Sequence, residues 1–375
     1  MNSMPNDEVR VNVVPHPGEN VTEYLEAYGW SQSDLARRTG LTPKTVSEIC
    51  NGKAPISPAT ALSFERVLQR PAHFWLGLQR NYDEFEARAK ESAQSSTWQD
   101  WVLHFPLKEM RKLNYTLSSG KSDAETLLNF FGVSSPDTWE RVWKASAVTY
   151  RQTQSFSARE EAIAAWVREV ELVARGIVLA DFDEDRLLGS LGYLRSLTRM
   201  GAETIMDPIQ QVCAAAGVAV VWVPALKSTG ISGCARWTTP KRALIGLTLR
   251  YKTDDQLWFT LFHELGHVLL HRNKRSFVID NSEDLSDQSV DPEMRGIEAE
   301  ADRFSSDVLV PPSDLGNFLR QKTFTNESIH AFAESIGVGP GIVVGRLQHD
   351  GVLNRHQGNA LKQKLDWKFM EDLQS

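Results

Sequence analysis

The stretch "FHELGHVLLH", residues 262–271, gathers the residue types that could do chemistry in this chain. His263 and His267 stand four apart, just over one helical turn, so on a helix both imidazoles leave one face and can share a metal ion. Glu264 is offset from that face and reaches a water beside the metal rather than the metal. This is the pattern of a zinc hydrolase, with two histidine ligands and a glutamate as general base. His271 lies one further turn along. A fourth ligand there would fill the position that a catalytic zinc keeps open, so His271 is expected to pack or hydrogen-bond at the helix end.

A catalytic zinc takes its third protein ligand from another element. Downstream, "IEAEADRF" offers Glu298, with Asp302 one turn later. In thermolysin-like enzymes an aspartate four residues beyond the ligand glutamate orients one ligand histidine from behind. Glu298 is therefore expected as third ligand and Asp302 as the partner of His263. Glu300, two residues along, is the rival ligand, and Mn²⁺ stays open beside Zn²⁺ as the ion. Cys234 lies on the strand pair that precedes the histidines. A thiolate there could reach the open metal position and hold an enzyme latent, whereas a small buried thiol would simply pack.

The elements that must position these groups are legible around them. "KTDDQLWFTLFHELGHVLLHR" reads as one helix, with Thr253 and Gln256 at capping-box spacing. A charged loop over about 273–292 leads to a second helix, "EMRGIEAEADRFSSDVLVP", stopped by Pro311 and Pro312. Upstream, "VAVVWVP" is a short β-rich run, and "ISGCARWTT" and "ALIGLTLRY" read as two strands around a Pro-Lys turn. A strand beside such a metal helix can take an extended peptide by β-addition. The tail "NESIHAFAESIGVGPGIVVGRLQHDG" reads as helix, turn, helix. Residues 86–200 look all-helical and carry no catalytic motif.

The chain begins in a different register. "SQSDLARRTG" has Ser31 as N-cap and Gly40 as stop. "LTPKTVSEICNG" has Thr42 as N-cap and Pro43 at the first helical position. Two short helices joined by a tight turn form a helix-turn-helix. If the second reads DNA, Thr42, Lys44, Thr45, Ser47 and Glu48 meet base edges, while Val46, Ile49 and Cys50 face the core. Gln32, Arg37, Arg38 and Lys53 would hold phosphates. The segment is only mildly positive and the whole chain has a net charge of −7, so one copy would bind weakly and a homodimer on a two-fold double-stranded operator is expected. The bland alternative is the same fold turned to protein contact.

Length sets further bounds: 375 residues suit two or three domains. No apolar run approaches the roughly 18 residues of a membrane span. The first residues lack the basic start and apolar core of a secretion signal. Three cysteines, far apart, fit a reducing cytoplasm rather than a disulfide framework.

Residues 14–82 resemble the HigA-type antitoxin branch of the XRE helix-turn-helix family, through "HPGE", "ISPATAL" and "FWLGLQ". Residues 203–312 resemble the ImmA/IrrE metallopeptidases, through "ISGCARW", "FTLFHELGHVLLH" and "EAEADRFSSDVLVP". The tail "FAESIGVGPGIVVGRLQHDG" is similar to the C-terminal region of that family. Two departures are conservative: Ser305 stands where alanine is usual, and "VLVP" replaces "LLMP".

The resemblance implies a mainly α fold with a small α+β zincin-like domain. A five-helix helix-turn-helix domain would cover 1–84 and a helical linker 85–202. A gluzincin-like zinc metallopeptidase domain would follow over 203–320, then a C-terminal helical region over 321–375. It implies a zinc endopeptidase that cuts a helix-turn-helix repressor and so controls stress, phage or toxin–antitoxin genes, with His263, His267 and Glu298 as ligands and Glu264 as base. The alternative is an antitoxin-like transcriptional repressor, with a toxin as partner, whose metal domain senses or scaffolds and cuts little. Peptidase and repressor are separate chains in the two-gene systems, and here both lie on one.

Overall fold

Several helix starts in this chain are set by side-chain groups. Ser31, Thr42 and Ser57 each stand in extended backbone and accept a hydrogen bond from the amide three residues on. These caps begin helices α2 (Gln32–Thr39), α3 (Pro43–Cys50) and α4 (Pro58–Leu68), which follow α1 (Pro17–Tyr28). Helix α5 (Ala72–Ser95) runs into the stretch expected to be a helical linker. The computed structural model describes residues 13–120, 122–144, 160–201, 204–227, 229–248, 252–272, 278–280 and 292–365. They divide into two compact units at Trp98.

In the first unit, Val21, Leu35, Val46, Ile49, Phe64, Leu68 and Trp75 close one apolar core. Helix α1 approaches α3 so closely that a Cβ at Gly18 would sit 1.8 Å from the carbonyl oxygen of Ile49. Only glycine fits there, which gives the "HPGE" glycine its physical reason.

The second unit is built on a four-stranded sheet in the order β1-β3-β2-β4. Strand β1 (Val218–Trp222) runs parallel to β3 (Arg242–Leu247), and β2 (Gly233–Thr239) pairs antiparallel with β3, as the Pro-Lys turn predicts. Strand β4 (Val278–Asp280) lies in the stretch expected to be a charged loop, and pairs antiparallel with Gly233–Ala235. No alternation signal is possible in so short a strand.

One face of the sheet carries the helix Glu160–Ala174, whose residues 162–170 are all buried. A Cβ at Gly246 would meet Val170 of that helix at 2.6 Å. The other face carries the histidine helix, Asp254–Leu270. A Cβ at Gly233 would meet its Thr260 and Glu264 side chains at 2.8 and 2.7 Å. The acidic helix, Pro292–Leu309, packs along the histidine helix. Leu187, Leu191 and Leu194 share one core with the sheet and the histidine helix, so the end of the helical middle region packs with that helix.

Thr253 is the N-cap of the histidine helix but makes no side-chain cap bond, contrary to the capping-box expectation. The tail pairs across this helix start. Thr253 pairs with Lys364, and the Asp254 amide donates to the Gln363 carbonyl at 3.0 Å. The Gln363 amide donates to Asp254 Oδ1 at 2.9 Å, and Lys362 Nζ lies 2.6 Å from Asp255 Oδ2. Among the described residues no helix is long and apolar enough to cross a membrane.

Candidate metal centre and helix-turn-helix face

The histidine helix is apolar on nearly every side. Leu257, Trp258, Leu261, Phe262, Leu265 and Val268 are all buried, so its polar residues are buried with it. Burying three ionisable groups in a row is costly unless each is paired or coordinated. His263 and His267 are each 3% exposed and Glu264 is fully enclosed.

The acidic helix brings Glu298, 6% exposed, to the two histidines. Glu298 Oε2 lies 3.1 Å from His263 Nε2 and 3.6 Å from His267 Nε2, and the two Nε2 atoms are 2.9 Å apart. One ligand atom from each residue falls within 4.8 Å of the others. Asp302, one turn beyond Glu298, sits 2.8 Å from His263 Nδ1, on the side of the ring away from the cluster. Glu300, the rival ligand, points elsewhere: it meets His271 Nε2 at 3.0 Å.

The donor set fits a divalent ion. A carboxylate only accepts, so Asp302 requires the proton of His263 on Nδ1, which leaves a neutral His263 with a bare Nε2. That lone pair faces the Glu298 carboxylate, and Glu298 Oε1 is a buried oxygen with no hydrogen-bond partner among the described residues. Converging lone pairs repel unless a cation lies between them. Burial works to raise the Glu298 carboxyl, but the adjoining His263 and then His267 imidazoles outweigh that and hold it at about 2, in the carboxylate form. Desolvation lowers His267, favouring the neutral imidazole that a metal needs.

Cys234 lies apart from this cluster. Residues of a strand alternate faces. Gly233 faces Glu264, whereas Cys234 pairs with Gly246 on the face covered by Val170, where a Cβ at Gly246 would meet its Sγ at 3.2 Å. Burial, with the nearby Glu264 charge, pushes the thiol well above its ordinary range, so it packs as a neutral group. The latch reading finds no support in this geometry. All three cysteines are free thiols.

Gly233 itself went unnoticed in the sequence. A glycine inside a β-rich run signals close approach of another group, and in "ISGCARW" that group is the Glu264 side chain.

On the first unit, Thr42, Lys44 and Lys53 are exposed, and Gln32, Thr45, Ser47 and Glu48 are half-buried. Thr42 accepts from the Thr45 amide, and the two hydroxyls lie 2.8 Å apart. Lys44 lies 3.8 Å from Glu48. Val46 and Ile49 are buried as expected, while Cys50 is only half-buried. Arg37 pairs with Asp34, and the Arg38 guanidinium lies 4.2 Å over the Trp30 ring. The Thr42 cap fixes the start of α3.

Comparison with known proteins agrees with both units. A helix-turn-helix family model matches residues 21–75, and a model of the IrrE N-terminal-like domain, a peptidase family, matches residues 227–348. The helix-turn-helix-type transcriptional regulator YddM of Escherichia coli is 32% identical over 73 residues, covering 20% of this chain and 78% of the relative. Virulence-associated protein A of Dichelobacter nodosus is 36% identical over 70 residues, 18% of this chain and 69% of that protein. A solved addiction-module antidote protein of the HigA family from Coxiella burnetii is 30% identical, with a TM-score of 0.21, covering 22% of this chain and 92% of that one. The chain therefore belongs to the helix-turn-helix transcriptional regulators through its first unit and carries an IrrE-like peptidase domain in its second.

Proposed function

We propose that the chain is a cytoplasmic DNA-binding regulator whose second unit is a zinc-dependent endopeptidase directed at another regulatory protein, most simply a helix-turn-helix repressor. The observation that carries this reading is the convergence of His263, His267 and Glu298 beside the enclosed Glu264. Zn²⁺ suits this nitrogen and oxygen donor set, and Mn²⁺ would be accepted by the same atoms. When bound, the ion supplies Lewis acidity toward a peptide carbonyl.

The chain's own residues do the rest. His263, His267 and Glu298 hold the ion. Asp302 keeps the His263 ring turned with Nε2 inward. Glu264, next to the ligands but outside their set, takes a proton from the attacking water and returns it to the leaving amine. The burial of Glu264 keeps that proton from bulk water.

The first unit would place the enzyme on an operator as a homodimer, with Thr42, Lys44, Thr45, Ser47 and Glu48 toward bases and Gln32 and Lys53 toward phosphates. A toxin partner would belong to the antitoxin-like alternative. One observation favours that alternative: β4 already pairs with Gly233–Ala235 of β2, the strand beside Glu264. An extended peptide cannot pair with those residues until β4 leaves, so basal proteolysis would be low.

The test is incubation of wild type and Glu264→Gln with Zn²⁺ and candidate helix-turn-helix proteins. Cleavage by wild type alone supports the peptidase. Intact partners throughout, with operator binding retained in a fluorescence-anisotropy titration, support the repressor.

A further inference from the structure

Among the described residues, His267 has no carboxylate behind it of the kind Asp302 gives His263. Its Nδ1 lies 3.1 Å from Nδ1 of His271, and Nε2 of His271 lies 3.0 Å from Glu300 Oε2. We propose that His271 and Glu300 form a positioning relay that holds His267 with its Nε2 lone pair turned to the metal. This inference rests on the metal reading above and assigns a role to two residues outside the ligand set.

The proton bookkeeping runs one way along the relay. Glu300 is a carboxylate and can only accept, so His271 carries its proton on Nε2. A neutral His271 then has a bare Nδ1, which can only accept. The proton between the two rings therefore belongs to Nδ1 of His267. A neutral His267 so arranged has a bare Nε2, and that atom is the one 2.9 Å from His263 Nε2 and 3.6 Å from Glu298 Oε2. Both nitrogens of His271 are engaged, so His271 is not a fourth ligand and leaves the open position open.

Burial supports a built device. The His271 side chain is 8% exposed, although it is the first residue past the helix end, while Glu300 is 65% exposed at the surface. The acidic helix thus serves both histidines from one run of sequence. Glu298 faces the metal, Asp302 backs His263, and Glu300 backs His267 through an intervening imidazole. A partner that orients a ligand in this way typically contributes about 10–100-fold to metal affinity.

The experiment measures Zn²⁺ affinity of the full chain by chelator competition, with thermal unfolding of the metal-free protein in parallel. Glu300→Ala, at an exposed position, is expected to weaken Zn²⁺ binding about 10-fold and His271→Phe about 100-fold. His271→Gln, whose amide oxygen can accept from His267 Nδ1, is expected to recover most of the loss. The metal-free melting temperature of Glu300→Ala should match wild type. Affinities of Glu300→Ala and His271→Phe within twofold of wild type overturn the relay. So does a loss in His271→Phe that tracks metal-free stability and is not recovered by Gln. A wild-type chain that takes up no Zn²⁺ overturns the metal reading itself, and the relay with it.

Discussion

Replacing Gly233 by alanine probes the contact between strand β2 and the proposed general base. The added methyl would lie 2.7 Å from Glu264 Oε1 and 2.8 Å from Thr260 Cγ2, against an ordinary contact that begins near 3.4 Å. The overlap is about 0.7 Å on one side and about 0.6 Å on the other, and overpacking of this kind costs roughly 1–3 kcal/mol. Alanine's lower conformational entropy in a strand returns about 0.5–1 kcal/mol, so a net loss of about 1–2 kcal/mol is expected. The strand is held on both flanks at this position, paired with Leu247 and Asp280, so the side chain of Glu264 is the part that yields. A misplacement approaching 1 Å at a reacting group can cost on the order of 100-fold in rate. Zn²⁺ affinity should stay within about twofold, because Glu264 is outside the ligand set.

Urea denaturation, chelator competition and a cleavage assay on the partner identified with Glu264→Gln measure the three quantities. Gly246→Ala is the matched control, since its methyl meets Val170 at 2.6 Å on the opposite face of the sheet. It should lose comparable stability while retaining most of its cleavage rate. A Gly233→Ala protein with wild-type stability and wild-type cleavage would refute the contact. Equal loss of cleavage in the two variants would refute the claim that the effect runs through Glu264.

Glu298→Ala should abolish stoichiometric Zn²⁺ uptake in an equilibrium-dialysis measurement, and EDTA should lower the melting temperature of wild type but leave that of the variant unmoved. Gly18→Ala should unfold the first unit, since the methyl would fall 1.8 Å from the Ile49 carbonyl oxygen; loss of operator binding with the second unit's melting transition intact is the readout. Burial pushes the Asp254 carboxyl up to about 6 from its usual 3.8, so its folded state favours the neutral acid. The stabilisation is present below about pH 4 and is lost as pH rises through 6, with a slope of at most about 1.4 kcal/mol for each step of one in pH. Asp254→Asn keeps an acceptor for the Gln363 amide and should flatten that decline in urea titrations at pH 4.5 and 7.5.

Local signals carried the helices well. Ser31 and Thr42 were legible as caps because an N-cap bond joins residues three apart. The one-face placement of His263 and His267 follows from helical pitch alone. Long-range partners were harder to read. The Asp302 spacing already favoured Glu298 over Glu300, and where the acidic helix lies against the histidine helix two residues of twist send one carboxylate inward and the other to His271. Cys234 was near the motif in sequence but on the wrong face, because a one-residue step along a strand reverses the side chain. Thr253 makes no cap bond although its spacing allows one, and residues 363–365, which pair across this helix start, lie far away in sequence.

That tail contact orders events during synthesis. The amide of Gln363 meets a carboxylate 109 residues earlier in the chain. At roughly 5–20 residues per second, a ribosome needs about 5–20 s to bridge that interval. The first unit, complete by Trp98, is synthesised long before. Until Lys362 and Gln363 emerge, Asp255 and Asp254 at the head of the histidine helix lack their later partners. The nascent chain thus carries its helix-turn-helix unit first, and its IrrE-like unit is completed only after the tail has closed on the start of the histidine helix.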